Sequence, residues 1–211
     1  MSMKVRVLEE SREYDGFFKI DKATLQYEKF DGEMSEEITR LNFNRGDSVA
    51  VLLYDEKKDS VILVKQFRYP AYVNHGPGWI LEVVAGAMER GQDAVSVARA
   101  ELVEEAGYQV GDLEFISRFY VSPGGTSERI HLYLGLAHRK VGSGGGLISE
   151  HEDIQVVEIP LDEAMEMVET EEIRDAKTII ALQWLKLRKI RNFTTEAQRS
   201  QRKGKSQEHR A

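Results

Sequence analysis

Apolar and polar positions along this chain predict short strands through most of its length and helices near its end. Residues 4–43 carry the pattern of strands and turns. Phe17-Phe18-Lys19-Ile20 opens one run, residues 23–30 alternate loosely, and Asp31-Gly32 is a hairpin signal before residues 37–43 return. Arg45-Gly46-Asp47 breaks the chain ahead of Ser48-Val49-Ala50-Val51-Leu52-Leu53-Tyr54, a strand of buried type. Lys57-Lys58-Asp59 turns into a second strand over residues 60–67, and residues 69–78, with Pro70, Gly76 and Pro77, read as a loop. The apolar stretch from Trp79 to Ala85 reads as one strand ending at Gly86. A helix is expected over residues 93–106, with Asp93 as N-cap, Ala94, Val97, Ala98 and Leu102 as its apolar stripe and Gly107 as its stop. Strands follow over 113–121, 130–137 and 154–159, a flexible loop over 142–149, and helices over 161–170 and 176–190. Strands on both sides of a central helix, with a helical end, give an α/β or α+β sandwich with a mixed sheet.

Composition adds limits. The 211 residues suit one sizeable domain or a domain with a small extension. No apolar run approaches the roughly 18 to 20 residues that cross a bilayer, and the N-terminus shows no signal-peptide core. With no cysteine there is no disulfide and no thiolate chemistry, which fits a cytoplasmic protein. The net charge of −7 is divided unevenly: residues 186–211 hold nine Lys or Arg against two Glu, +7, so residues 1–185 carry −14. An acidic body argues against nucleic-acid binding. The polar, basic stretch 193–211 is expected to be a disordered tail.

The candidate chemistry lies in residues 86–108, GAMERGQDAVSVARAELVEEAGY. Glu101, Glu104 and Glu105 stand three and four apart, which stacks three carboxylates on one helix face. Like charges so placed destabilise a helix unless a cation offsets them, and a hard divalent cation such as Mg2+ takes oxygen ligands of this kind. On spacing alone a solvated acidic helix face accounts for the pattern equally well.

The surrounding layout resembles the Nudix box, G-x5-E-x7-R-E-U-x-E-E-x-G-U, with U a bulky apolar residue. Gly86, Glu101, Leu102, Glu104, Glu105, Gly107 and Tyr108 fall in register, whereas Gln92 replaces the first Glu and Ala100 the Arg. Arg99 is one residue away but points about 100° around the helix. The resemblance implies a Nudix α/β/α sandwich over residues 45–192 and an N-terminal antiparallel β extension over 1–44 that helps build a homodimer. It also implies an acid-anhydride hydrolase dependent on Mg2+, with Mn2+ as the alternative. Glu101, Glu105 and the Ala85 carbonyl would be metal ligands, with Glu104 shared between ions.

Beyond the box, the chain is similar to the ADP-ribose pyrophosphatases and nucleoside-diphosphate-sugar hydrolases of that family. Pro123, 15 residues past Tyr108, opens a loop with Gly124, Gly125 and Glu128. Glu152, with Glu150 in reserve, matches the loop glutamate that acts as base. Arg68 and, second, Arg45 suit a diphosphate. Glu82 would orient substrate or a water, and Phe17, Phe18 and Tyr72 could stack on a base. The segment from Asp175 to Leu185 reads as a structural helix. The resemblance implies cleavage of ADP-ribose to AMP and ribose 5-phosphate. A GDP-mannose or UDP-sugar hydrolase is the near alternative, and a catalytically weak nucleotide-sensing domain, suggested by Gln92 and Ala100, is the distant one.

Overall fold

The computed structural model describes residues 3–191, so the tail at 193–211 lies outside the described residues. Three strands, β1 (Val5–Asp15), β2 (Lys19–Tyr27) and β3 (Ile38–Asn44), form an antiparallel sheet in the order β1-β2-β3. The expected turn at Asp31-Gly32 is present, with Gly32 at φ 88°. β1 is exposed along its whole length and presents Val5, Val7 and Leu8 to solvent.

The second sheet is the scaffold. It comprises β4 (Ser48–Asp55), β5 (Ser60–Phe67), β6 (Trp79–Glu82), β7 (Val84–Ala87), β9 (Leu113–Tyr120), β10 (Arg129–Leu136) and β12 (Gln155–Pro160). Its main path runs β12-β5-β4-β10-β9, and only β4 and β10 pair in parallel. A separate two-residue pair joins β8 (Tyr108–Gln109) to β11 (Arg139–Lys140). The apolar runs of β4 and β5 have a simple cause: both faces of these strands are covered, so neither face needs polar residues. Val49, Val51 and Leu53 pack toward Ala98, Leu102 and Ala106 on one side. Ala50 and Leu52 pack toward Leu161, Ala164, Leu182 and Leu185 on the other. The alternation of a strand thus builds two cores, and the result is the expected α/β/α sandwich with an N-terminal β extension.

Among the described residues, α2 (Ala94–Glu101), α3 (Leu161–Glu169) and α4 over 176–191 cover the sheet, and α1 (Tyr69–Val73) is a short, mostly exposed helix after β5. Several details differ from expectation. The stretch 69–78 was expected as a loop, but Pro70 fits the first turn of a helix and α1 forms there. The apolar stretch from Trp79 is two strands, not one. β4 and β5 pair directly only from Leu53 to Asp55 and from Ser60 to Ile62. Beyond that they splay, β6 follows β5, and after Val83 the chain crosses to follow β4 as β7.

The acidic helix also changes form. Asp93 caps α2 through the Ser96 N–H at 2.9 Å, as expected, but residues Leu102–Ala106 wind as one turn of π-helix. The glycine-rich loop is tied to that turn rather than free. Gly145 and Gly146 donate their N–H groups to the Glu105 and Glu104 carbonyls at 2.9 and 3.0 Å. The helix end therefore satisfies its carbonyls with loop amides. Gly107 ends the helix at φ 74°, and a Cβ there would lie 2.4 Å from the Gly142 carbonyl oxygen. Gly107→Ala is therefore expected to cost about 2 kcal/mol or more in urea denaturation. A loss under about 0.5 kcal/mol would mean that the loop does not bear on the helix end.

Candidate active site

The crossing of β6 into β7 brings the backbone of β7 against the acidic helix. Ala85 lies opposite Ala50, and Gly86 opposite Val49. The Ala85 N–H donates to Glu105 Oε2 at 3.1 Å. Glu101 lies directly over Gly86: a Cβ on that glycine would stand 1.8 Å from Glu101 Oε1. Only glycine leaves room for the carboxylate at that point.

Glu105 is 2% exposed. Burial pushes its carboxyl up to about 8, with the Ala85 N–H opposing the shift and the charges of Glu101, Glu82 and Glu152 adding to it. Four carboxylates therefore act on one small volume. The all-oxygen donor set, together with the Ala85 carbonyl and the close approach at Gly86, suits Mg2+ or Mn2+. Among the described residues no group of three His, Cys, Asp or Glu already stands in a metal-holding arrangement.

Glu82 is also buried, but it is neutralised. Its Oε1 accepts from Arg68 Nε at 2.7 Å and its Oε2 from Lys177 Nζ at 2.5 Å, while Lys177 also reaches Asp175 at 2.9 Å. Burial alone would lower the Lys177 pKa, but the charges of Glu82 and Asp175 outweigh it and raise the value. The same opposition, with Glu82 foremost among the attractive charges, raises Arg68. Arg68 keeps 41% of its side chain accessible, so it can hold Glu82 and still face a ligand.

Glu152 is half-buried, and its Oε2 accepts from the Leu147 N–H at 2.8 Å. That oxygen would lie 2.5 Å from a Cβ on Gly146, which has φ 81°. Glu150 closes a short 3-10 turn, Ile148–Glu150, next to it. Glu104 is half-buried beside Glu105.

A second group gathers where the N-terminal sheet meets β10. Glu128 is buried, accepts from Ser48 Oγ at 2.7 Å, and lies 3.5 Å from Arg45 Nε. The Arg45 guanidinium stands 5.5 Å over the Phe18 ring, which packs edge-on against Phe43. The loop with Pro123, Gly124 and Gly125 is stitched to β3: Phe43 N–H donates to the Gly125 carbonyl at 2.8 Å, and Ser127 N–H to Asn42 Oδ1 at 2.9 Å. A Cβ at Gly124 or Gly125 would meet nothing within 4 Å, so the protein's own packing does not demand glycine there. Tyr72 is elsewhere, exposed in an aromatic group with Phe67.

Of the two departures from the box, Gln92 has a local role, Ala100 has no structural explanation, and the neighbouring Arg99 is engaged elsewhere. Gln92 Oε1 accepts the Glu89 N–H at 2.8 Å, which makes it a turn residue. Arg99 donates to the Val110 carbonyl at 2.7 Å and to the Gly111 carbonyl, so it braces the segment after the helix. Sequence reasoning missed Lys177, because its partner Glu82 is 95 positions away. The one usable signal was Asp175 three residues before Thr178, an N-cap pattern that marks a helix start but not where it docks.

Residues 44–200 match the NUDIX domain, and the chain belongs to that family. It is a NUDIX hydrolase. It is 39% identical over 184 residues to an ADP-ribose pyrophosphatase of Escherichia coli (strain K12), covering 87% of this chain and 88% of the relative. It is 35% identical over 190 residues to a GDP-mannose pyrophosphatase of Shigella flexneri serotype 5b (strain 8401), covering 89% and 97%. A crystal structure of an ADP compounds hydrolase shares the fold at a TM-score of 0.67 and 20% identity, covering 87% of this chain and 92% of that one.

The raised Glu105 pKa makes stability depend on pH. Between the ordinary value of 4.5 and about 8, the folded protein holds a proton that the unfolded chain has released. Its contribution is full below 4.5 and is lost as pH rises through 8, a change on the order of a few kcal/mol. Without divalent metal, the wild type is expected to lose stability relative to Glu105→Gln between pH 5 and about 8.5. Parallel melting profiles for the two proteins would refute the assignment.

Proposed function

We propose that this hydrolase cleaves the diphosphate of ADP-ribose by water attack, releasing AMP and ribose 5-phosphate. The buried Glu105, set against the Ala85 N–H among three further carboxylates, is the observation that carries the reading. The named relatives indicate nucleotide sugars as the substrate class. Glu101, Glu105 and the Ala85 carbonyl would hold Mg2+, with Glu104 shared between ions and Mn2+ as a substitute. When bound, Mg2+ would neutralise diphosphate oxygens and make a water more acidic. Arg68 would pair with the diphosphate while Glu82 fixes its direction. Glu152, close enough for its charge to act on Glu105, would take the proton of the attacking water. Glu150 is the reserve for that role.

Arg45, Glu128, Phe18 and the loop of Pro123, Gly124 and Gly125 would receive the nucleoside. GDP-mannose is the second reading, supported by the Shigella flexneri relative. The N-terminal segment 1–44 would pair with a second copy, which the exposed apolar side chains of β1 support. No described helix is long and apolar enough to cross a membrane.

The test is a substrate panel with Mg2+: ADP-ribose, GDP-mannose, UDP-glucose and diadenosine polyphosphates, with products separated by chromatography. AMP and ribose 5-phosphate from ADP-ribose at the highest kcat/KM is the expected result. A preference for GDP-mannose would move the assignment to the second reading. Glu105→Gln is expected to lower kcat by about a hundredfold or more, the loss of several kcal/mol of charge stabilisation. Glu152→Gln should lower kcat by about 10^2 to 10^4 with KM little changed, and Glu150→Gln should not. The reverse pattern would exchange their roles.

A further inference from the structure

The helix α4 carries more than packing. Two consecutive residues at its N-terminus grip two consecutive residues of the strand crossing. Lys177 holds Glu82, and Thr178 Oγ1 accepts the Val83 N–H at 2.8 Å. Val83 sits where the chain has left β5 and not yet joined β4, so neither strand supplies an acceptor for it. Val83 and Thr178 are both fully buried, so no water can substitute. The hydroxyl is oriented for this role. Thr178 Oγ1 donates its proton to Asp175 Oδ2 at 2.5 Å, which leaves a lone pair for Val83. The same Asp175 oxygen accepts the Thr178 N–H at 3.0 Å and so caps the helix.

We propose that Thr178, oriented by Asp175, is a positioning residue that sets Ala85 and Gly86 of β7 for cation binding by holding Val83 at the strand crossing; this rests on the reading of Ala85, Glu101 and Glu105 as the metal site. Val83 is two residues from Ala85, and peptide units are rigid, so displacement of its N–H is passed into β7. That stretch of strand tolerates little displacement. Glu101 lies against Gly86 with no room for even a methyl group, and the Ala85 N–H must stay on Glu105. Groups that orient ligands without touching the metal commonly govern affinity in this way. Thr178 therefore acts on the site through the backbone, whereas Lys177, one residue earlier, acts through Glu82 and Arg68.

The test is Mn2+ binding to the full-length, substrate-free protein, read by electron paramagnetic resonance. Thr178→Val keeps the shape and removes the acceptor. It is expected to weaken Mn2+ binding by about tenfold or more and to raise the Mg2+ concentration for half-maximal activity by the same factor. KM for ADP-ribose at saturating Mg2+ should stay near wild type. Thr178→Ser restores the hydroxyl and should restore both readings. If Thr178→Val does not fold, Asp175→Asn serves in its place, with a change in the same direction expected. A folded Thr178→Val or Asp175→Asn with wild-type Mn2+ affinity would overturn the inference while leaving the metal site intact. A wild type that binds no Mn2+ would overturn the reading of the metal site and this inference with it.

Discussion

The constraint on which this structure turns is the crowding of Glu82, Glu101, Glu105 and Glu152 around one stretch of backbone. Each carboxylate repels the others, and Glu105 is removed from water as well. No folding advantage follows from that arrangement, and the surrounding architecture is organised to bear it. Glu82 is balanced by Arg68 and Lys177. Glu152 is restrained by a loop amide. Glu105 receives one backbone N–H, and in the absence of a cation it relieves the remaining strain by keeping its proton. A cation held there, as proposed, would displace that proton, so the two events would be coupled at Glu105.

The fold brings these groups together through two departures from regular structure. Where β4 and β5 splay, the β6–β7 segment enters between them and changes partner at Val83. This leaves one residue outside the strand pairing, Val83, in the middle of the sheet. The π turn at the end of the acidic helix supplies the second. Its carbonyls are taken by Gly145 and Gly146, so the loop that carries Glu152 is anchored to the same helix turn that carries Glu104 and Glu105. π turns inside α-helices often mark functional sites, and here the consequence is concrete: acids from two distant segments share one anchor.

Much of this was legible beforehand because it is local. The runs of β4 and β5 announce burial on both faces, and the frame from Gly86 to Gly107 announces strand, loop and acidic helix. What stayed hidden depends on long-range pairing. Val83 looks like any residue in an apolar strand, and nothing in its neighbourhood shows that its N–H will meet Thr178. Lys177 reads as one more surface lysine on a helix until Glu82 is placed beside it. The π turn was illegible for the same reason, since the loop amides that meet its carbonyls come from 40 residues further on. Arg99 is the opposite case: helical spacing alone places it about 100° around the helix from the box position, and its guanidinium donates to the Val110 and Gly111 carbonyls.

The division of the site into two groups bears on how specificity arises. On the proposed reading, the acidic group, Arg68 and Glu152 would address a diphosphate and a water, features common to every nucleotide sugar. The second group is built on different elements. Phe18 comes from beside β2, Arg45 from the link between β3 and β4, and Glu128 from the loop before β10. Its members touch one another through a cation–π contact and an ion pair, and β3 holds the adjoining loop by two backbone N–H bonds. If this group receives the nucleoside, as proposed, base discrimination would change by altering it while the acidic group stays fixed. Arg45 is the residue through which the two groups would communicate, since it sits three residues before Ser48, whose strand partner Ala87 adjoins Gly86. A change of base would thus be felt at the β4–β7 ladder, next to the chemistry but not within it.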